Sequence, residues 1–282
     1  MPTVDIPQGR INYRVAGPDD ASTAPVVFVH GLLVNGELWT GVADCLAAQG
    51  IRSYAPDLPL GSHPIALNPD ADLSPRGVAR LIAAFLEALD LTDVTLVGND
   101  TGGALCQFLI DTDDSRIGRL VLTNCDAFDK FPPPPFGAIV ALGRRPGRLR
   151  MFLRGAGPKF VRHSILGYGG LVATPLDAEL TARWVRPAIA DRGVAKDTAR
   201  FLRAIDKRDL ADVATRLADF GKPVLLVWGE ADRFFKVEFA ERLQEAFGDA
   251  RLVRIPGGRT FVPYDSPDRL ADEIRAFSRQ PA

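Results

Sequence analysis

The chain has 282 residues, of which 46% are hydrophobic and 24% are charged, and its net charge at pH 7 is -1. This length and hydrophobic content are enough for one large core plus an insertion. Neither a basic stripe nor an acidic tail is present, so the sequence predicts no nucleic-acid partner and no membrane partner. Residues 1–10 lack a basic start followed by an apolar run, and no window approaches the roughly 18 apolar residues of a spanning helix. We therefore expect a cytoplasmic protein; its oligomeric state stays open.

Strand and helix patterns alternate through the first half of the chain. The apolar run at 24–30 is typical of a strand buried on both faces, and the Ser-Pro pair at 74–75 is a helix start. Such alternation predicts a parallel sheet with helices on both faces. The predicted strands are 10–15, 24–30, 51–55, 94–98 and 120–123, and the predicted helices are 37–48, 74–89 and 101–110.

The pattern changes after Asn124, with a proline run at 132–135 and then helical stretches without a convincing strand. The predicted helical stretches are 144–162, 177–190 and 194–207. Strands at 223–228 and 252–255 and helices at 237–247 and 267–277 follow. We predict that residues 128–211 form an inserted helical lid (cap) and that residues 1–127 and 212–282 form one core domain.

The three cysteines, Cys45, Cys106 and Cys125, are odd in number, lie far apart and form no CxxC pair. Neither a disulfide framework nor a zinc site is predicted, so the sequence calls for no metal, and no motif calls for a cofactor. We expect the three thiols to be small core side chains.

Asp100 stands in a Gly-x-nucleophile-x-Gly turn between Gly98 and Gly102, after an apolar strand and before a helix. Such a turn is sharp enough to point the side chain out of the sheet, and a Cβ at either glycine would collide with backbone. The helix N-terminus favours an anion, and an ordinary aspartate is charged at pH 7 without a base. Asp100 is therefore a candidate nucleophile. The plainer interpretation is an Asx turn or a helix N-cap.

With two further segments, this turn resembles the α/β-hydrolase fold family over essentially the whole chain. The pair His30-Gly31 resembles the His-Gly turn of that family. The resemblance implies an oxyanion hole made by the backbone N–H groups of Leu32 and Thr101. His30 itself is expected to pack the turn rather than to react. The implied fold is a mostly parallel eight-stranded sheet with helices on both faces and an inserted helical lid.

The segment 228–232, Trp-Gly-Glu-Ala-Asp, resembles the strand-end Gly-x-x-Asp that supplies the acid of the triad. The resemblance implies that Asp232 is this acid, and a helix cap before residues 234–242 is the alternative. The last strand of the family is followed by a Gly-His-Phe-like turn, but here Thr260 occupies the histidine position. Its hydroxyl cannot usefully accept a proton near pH 7, although it can hydrogen-bond Asp232 or hold a water.

The chain contains only three histidines, His30, His63 and His163, and none follows the lid. The usual base is therefore absent. His63, in a loop that borders the active-site edge of such a sheet, is a possible substitute base. A solvent-exposed loop histidine is the more ordinary interpretation.

The missing histidine affects serine and aspartate nucleophiles differently. A serine hydroxyl needs the base in its first step, whereas a carboxylate does not. Aspartate nucleophiles resemble those of haloalkane dehalogenases, fluoroacetate dehalogenases and epoxide hydrolases, which form an alkyl-enzyme ester that a histidine-activated water then hydrolyses. Here Asp100 can form the ester, but the base that activates water for hydrolysis of the ester is absent. The sequence predicts slow turnover or a trapped ester.

None of these subfamilies fits fully. Haloalkane dehalogenases place a tryptophan and often an asparagine where this chain has Thr101 and Leu32, and fluoroacetate-type sites place an arginine at Thr101. Epoxide hydrolases use paired lid tyrosines, whereas the predicted lid contains only Tyr168. Lid arginines can attract an acidic substrate or form a solvated face, and lid aromatics can line a pocket or belong to the core. These side chains are Arg144, Arg145, Arg148, Arg150, Arg154, Arg162, Phe131, Phe136, Phe152, Phe160 and Trp184.

Two functions are consistent with the sequence. The first is an enzyme that uses Asp100, Asp232 and Thr260 on a small, largely apolar molecule. The second is a non-hydrolytic or catalytically impaired hydrolase-like protein that binds a small molecule.

Overall fold

Eight strands form one sheet in a computed structural model that describes residues 1–21 and 23–279. The strand order is β1-β2-β4-β3-β5-β6-β7-β8, with β2 antiparallel to β1 and β4 and all other neighbours parallel. The predicted mostly parallel eight-stranded sheet is confirmed. The strands are β1 (Thr3–Ile6), β2 (Gly9–Ala16), β3 (Val26–Val29), β4 (Ser53–Pro56), β5 (Val94–Asp100), β6 (Ile117–Cys125), β7 (Val224–Gly229) and β8 (Ala250–Ile255).

The central strands are buried because helices cover both faces of the sheet. Alternate residues of β3 enter different cores: Val26 and Phe28 pack in one hydrophobic cluster and Val27 and Val29 in the other. The core helices are α1 (Thr40–Ala47), α2 (Pro75–Ala88), α3 (Thr101–Ile110), α10 (Val237–Phe247), α11 (Val262–Asp265) and α12 (Pro267–Ser278). Helices α1 and α12 cover one face, and α2, α3 and α10 cover the other.

Six α-helices occupy the insertion between β6 and β7: α4 (Phe136–Gly143), α5 (Pro146–Gly155), α6 (Lys159–Arg162), α7 (Ala178–Ala190), α8 (Arg192–Ala204) and α9 (Lys207–Val213). The predicted helical stretch at 144–162 is broken into α5 and α6, because the segment between them carries a glycine followed by a proline. The predicted boundary at residue 211 falls inside α9, so the lid limits stay a prediction.

Within the described residues, no helix combines the length and the apolar character that crossing a membrane requires. Cys106 and Cys125 are buried core residues, as expected. Cys45 is not, because it is only half-buried and its thiol donates to the Asp268 carboxylate at 3.0 Å.

Candidate active site

Asp100 is the last residue of β5 and lies directly before α3, with φ 55° and ψ -132°. It occupies the N-cap position of α3, but its side chain makes no capping hydrogen bond. The turn depends on missing Cβ atoms: one on Gly102 would lie 2.2 Å from the Val29 carbonyl oxygen, and one on Gly31 would lie 2.1 Å from Oδ2 of Asp100. The glycines therefore allow the carboxylate to approach the backbone of the neighbouring turn.

The backbone N–H groups of Thr101 and Leu32 lie next to the Asp100 carboxylate, close enough to lower its pKa. These are the two groups that the sequence analysis assigns to the oxyanion hole. Burial raises the pKa of Asp100 to about 7; the nearby Asp232 carboxylate raises it further, while the two N–H groups oppose the rise. The expectation that Asp100 is fully charged at pH 7 is therefore wrong, because burial disfavours the ionised form.

Asp232 lies just beyond β7, and both of its oxygens have hydrogen-bond donors. Its Oδ1 accepts the N–H groups of Phe234 at 2.8 Å and Phe235 at 3.2 Å, and its Oδ2 accepts the Asn124 amide at 2.8 Å. Because α10 begins only at Val237, Asp232 is not its cap. Burial raises the pKa of Asp232, and the hydrogen bonds oppose that rise.

Asn124 is a site residue that the sequence analysis missed. Besides Asp232, it binds the backbone of the same turn, accepting the Gly229 N–H at 2.7 Å and donating to the Gly229 carbonyl at 3.1 Å. Its signal in the sequence is an amide near the end of a mostly apolar strand. Asn124 therefore holds the Asp232 turn in place.

Thr260 lies fully buried in the loop between β8 and α11. Its hydroxyl is close enough to Asp232 to lower the pKa of that carboxyl, but it makes no hydrogen bond of normal geometry. Its carbonyl oxygen accepts the Asn99 amide at 2.7 Å, which ties this loop to the Gly98–Gly102 turn around Asp100, called the elbow below. The structure thus brings Asp100, Asp232 and Thr260 to one edge of the sheet. Their catalytic roles stay a prediction.

His30 supports the turn, as expected. It is fully buried, with Nδ1 2.8 Å from the Gly31 carbonyl oxygen and with Nε2 accepting the Leu58 N–H at 2.8 Å. Burial lowers the pKa of His30 to about 3, so the ring is neutral.

His63 is not the solvent-exposed histidine that we expected, because α8 of the insertion covers its loop. The ring is 1% exposed; Nδ1 accepts the Gly61 N–H at 3.3 Å, and Nε2 lies 3.5 Å from Oδ2 of Asp197 on α8. It is not among the residues that line the cavity next to Asp100. The structure therefore gives no support to His63 as the substitute base.

A cavity of about 730 Å³ lies between the elbow and the insertion, with Asp100, Leu32 and Thr101 on its wall. Three of the lid phenylalanines line it, whereas Trp184 is buried in the core and Phe160 is 79% exposed. The lining phenylalanines are Phe131, Phe136 and Phe152. The cavity is therefore mostly apolar.

Two polar lid side chains on the cavity wall donate their hydrogen bonds to backbone carbonyl groups of the protein. The Tyr168 hydroxyl donates to the Leu33 carbonyl at 2.5 Å. The Arg162 guanidinium donates to the Ala178 carbonyl at 3.0 Å and to the Gly157 carbonyl. These two groups position the lid rather than offering donors to a ligand.

Asp126, a further residue of the cavity wall, was also missed. It directly follows β6, its side chain is fully buried, and its Oδ2 accepts the Thr101 hydroxyl at 3.1 Å. Burial and the neighbouring Asp100 hold the pKa of Asp126 well above its usual range. Its signal is a carboxylate at the end of a buried parallel strand, where functional groups of such sheets gather. In the described part of the chain, no group of His, Cys, Asp or Glu side chains is suited to hold a metal ion.

This sheet order, the elbow aspartate and the helical insertion over a cavity define an enzyme of the α/β-hydrolase type. The sequence model of the alpha/beta hydrolase fold family matches residues 24–267, and the chain belongs to that family.

Relatives of known name span nearly the whole chain. Haloalkane dehalogenase 2 of Mycobacterium bovis is 29% identical over 96% of this chain and 92% of its own length. The cis-3-alkyl-4-alkyloxetan-2-one decarboxylase of Xanthomonas campestris is 26% identical over 95% of this chain and 91% of its own. Among solved structures, a putative ancestral haloalkane dehalogenase, AncHLD2, shares the fold with a TM-score of 0.78 at 24% identity, over 99% of this chain and 100% of its own.

Proposed function

We propose that the protein is a hydrolase in which Asp100 attacks a saturated carbon of a small, largely apolar substrate and forms an alkyl-enzyme ester. The observation that carries this proposal is the placement of the Asp100 carboxylate on the wall of an apolar cavity, held by the N–H groups of Leu32 and Thr101. The similarity to a haloalkane dehalogenase over nearly the whole chain supports it.

The two N–H groups serve both halves of the reaction. While Asp100 is a nucleophile, they hold its carboxylate in one orientation, which keeps the attacking oxygen near the substrate carbon. When water later attacks the ester, the same donors face the oxygen on which negative charge develops. An ionised Asp100 needs no base for the first half, and its pKa of about 7 makes the ionised form abundant at neutral pH.

The second half is slower because its usual base is absent. No histidine stands on the cavity wall formed by the described residues, and Thr260 takes the position next to Asp232. A hydroxyl of this kind cannot remove a proton from water near pH 7. The ester therefore accumulates during turnover.

Intact-mass measurement after incubation with panels of alkyl halides, epoxides and esters tests this function. The expected result is a covalent adduct on the wild type that peptide mapping places on Asp100. Asp100→Asn should form none, while the exposed control Asp249→Asn should react like the wild type. Absence of both adduct and turnover with every compound would overturn the proposal.

The second candidate function is a catalytically impaired protein that binds a small molecule in the same cavity. The observation that favours it is the threonine beside Asp232. Tight binding of panel compounds by calorimetry, without any adduct, would support this function over the first.

A further inference from the structure

A second carboxyl group is buried in the wall of the cavity that Asp100 also lines. Asp126 is fully buried, its Oδ2 accepts the Thr101 hydroxyl at 3.1 Å, and its Oδ1 has no hydrogen-bond partner among the described residues. The backbone N–H of Thr101 contacts Asp100, so this one residue binds both carboxyl groups. A buried oxygen without a partner on a cavity wall is unusual and is suited to a ligand.

Asp126 has the features of a neutral acid. In the part of the chain that the structure describes, no Lys, Arg or His forms an ion pair with it. A buried carboxyl without a cation, next to a second carboxyl, keeps its proton. Because Oδ2 accepts the Thr101 hydroxyl, the proton belongs on Oδ1, the oxygen without a partner.

The Ser164 hydroxyl also lines the cavity, but an alcohol is too weak an acid to protonate a leaving group near pH 7. The remaining polar donors on the wall are engaged elsewhere. The Tyr168 hydroxyl donates to Leu33, the Arg162 guanidinium donates to lid carbonyls, and the N–H groups of Leu32 and Thr101 point at Asp100. A leaving halide needs such donors but no proton. A leaving oxygen gains most from a proton, because an alkoxide is a poor leaving group.

We propose that Asp126 is a catalytic acid that protonates the leaving oxygen when Asp100 opens a strained cyclic ether, an epoxide with apolar substituents. The proposal rests on the proposed function of Asp100. The Asp100 carboxylate forms a bond to a ring carbon, and the ring carbon–oxygen bond breaks. Its electron pair stays on the oxygen, which takes the proton from Asp126. The products are a hydroxyalkyl ester on Asp100 and a carboxylate at Asp126.

The ester is then hydrolysed slowly, because no base activates the water, and Asp126 regains its proton only as the ester breaks down. Water attacks the ester carbonyl, and the bond between that carbonyl carbon and the alkyl oxygen breaks. One proton of the water goes to the alkyl oxygen, which completes a diol, and the other returns to Asp126. Asp100 is again a carboxylate, so the cycle adds one water to one epoxide.

Two probes with one carbon skeleton, styrene oxide and 2-phenylethyl bromide, test the role of Asp126. Asn at this position keeps the size and the acceptor for Thr101 but has no acidic proton. With Asp126→Asn at pH 8, we expect adduct formation by styrene oxide to fall at least about 100-fold and that by the bromide to change less than about threefold. Intact-mass time courses measure both rates.

Each other outcome is decisive. Equal losses with both probes would show that Asp126 only supports the structure, and an unchanged epoxide rate would show that it donates no proton; either result overturns this proposal and leaves the role of Asp100 intact. No adduct on the wild type with either probe would overturn the proposed function and this proposal together.

A pH profile of the wild type gives a test that does not depend on how the variant folds. The bromide rate should rise through about pH 7 as Asp100 ionises and then stay level. The epoxide rate should rise in the same way and fall again at higher pH, when Asp126 loses its proton. Parallel profiles for the two probes would overturn the proposal.

Discussion

The two ends of the candidate site, one at Asp100 and the other at Asp232, differ in how completely they provide the groups that the proposed reaction needs. At the elbow, Asp100 has a strained turn, two backbone N–H donors and an apolar cavity. At the other end, Asp232 keeps its hydrogen bonds from Asn124 and from the turn after β7, but a threonine stands where a base is expected. The difference suggests that formation and hydrolysis of an ester are separable, because each depends on a different end of the site.

Thr260→His should have the largest effect, because it places a base beside Asp232, where the wild type has a threonine. A histidine beside Asp232 would be oriented by that carboxylate and could activate water, so ester hydrolysis should rise by roughly 100-fold or more. Rapid-quench measurement of ester decay checks this rate. Thr260→Val, which removes only the hydroxyl, is the control and should leave decay nearly unchanged. Equal decay in both variants would show that this position does not serve as the base position.

Gly31→Ala should damage the elbow end. The new Cβ would lie 2.1 Å from Oδ2 of Asp100, so the carboxylate must move away from its donors. A displacement of this kind costs about 100-fold in the rate of ester formation. Gly137→Ala, where a Cβ meets no atom within 4 Å, is the matched control. Pre-steady-state adduct formation measures the loss, and a rate like that of the control would contradict the close approach.

Asp100→Asn should stabilise the fold at alkaline pH. Burial raises the pKa of Asp100 to about 7 from its ordinary value of 3.8, so the folded state binds more protons than the unfolded state between these values. The contribution of Asp100 to wild-type stability should therefore fall as pH rises from 4 to 7, and the variant should lack this loss. We expect its advantage in free energy of unfolding to reach about 2 kcal/mol at pH 8, less than the full shift implies because the carboxylate faces an open cavity. Urea unfolding at pH 4 and pH 8 measures it; equal differences at both values would contradict the raised pKa.

Asp232→Asn should have the smallest effect. It tests whether the negative charge of Asp232 influences the ionisation of Asp100. Removing this negative charge should lower the pKa of Asp100, because a nearby anion opposes its ionisation. The pH midpoint of ester formation should then shift downward by less than about one unit, since burial remains the main cause of the raised pKa. Alkylation rates between pH 5 and pH 9 give the midpoint, and an upward shift would contradict the assigned interaction.

The sequence by itself determined the features that depend on neighbouring residues. Apolar periodicity predicts the parallel core, and the bounds of α3 and α10 match the predicted helices. The glycine spacing predicts the elbow at Asp100, because close backbone contacts exclude any larger residue there.

Only the tertiary structure decided which distant groups meet. Asn124 reaches Asp232 across 108 positions, the Thr101 hydroxyl reaches Asp126 across 25, and His63 is buried against Asp197 of the insertion. No local pattern encodes such pairs, because they depend on how strands and lid are arranged. The same burial decides the protonation of Asp100 and Asp126, since the cost of a charge depends on the surroundings that the whole fold provides.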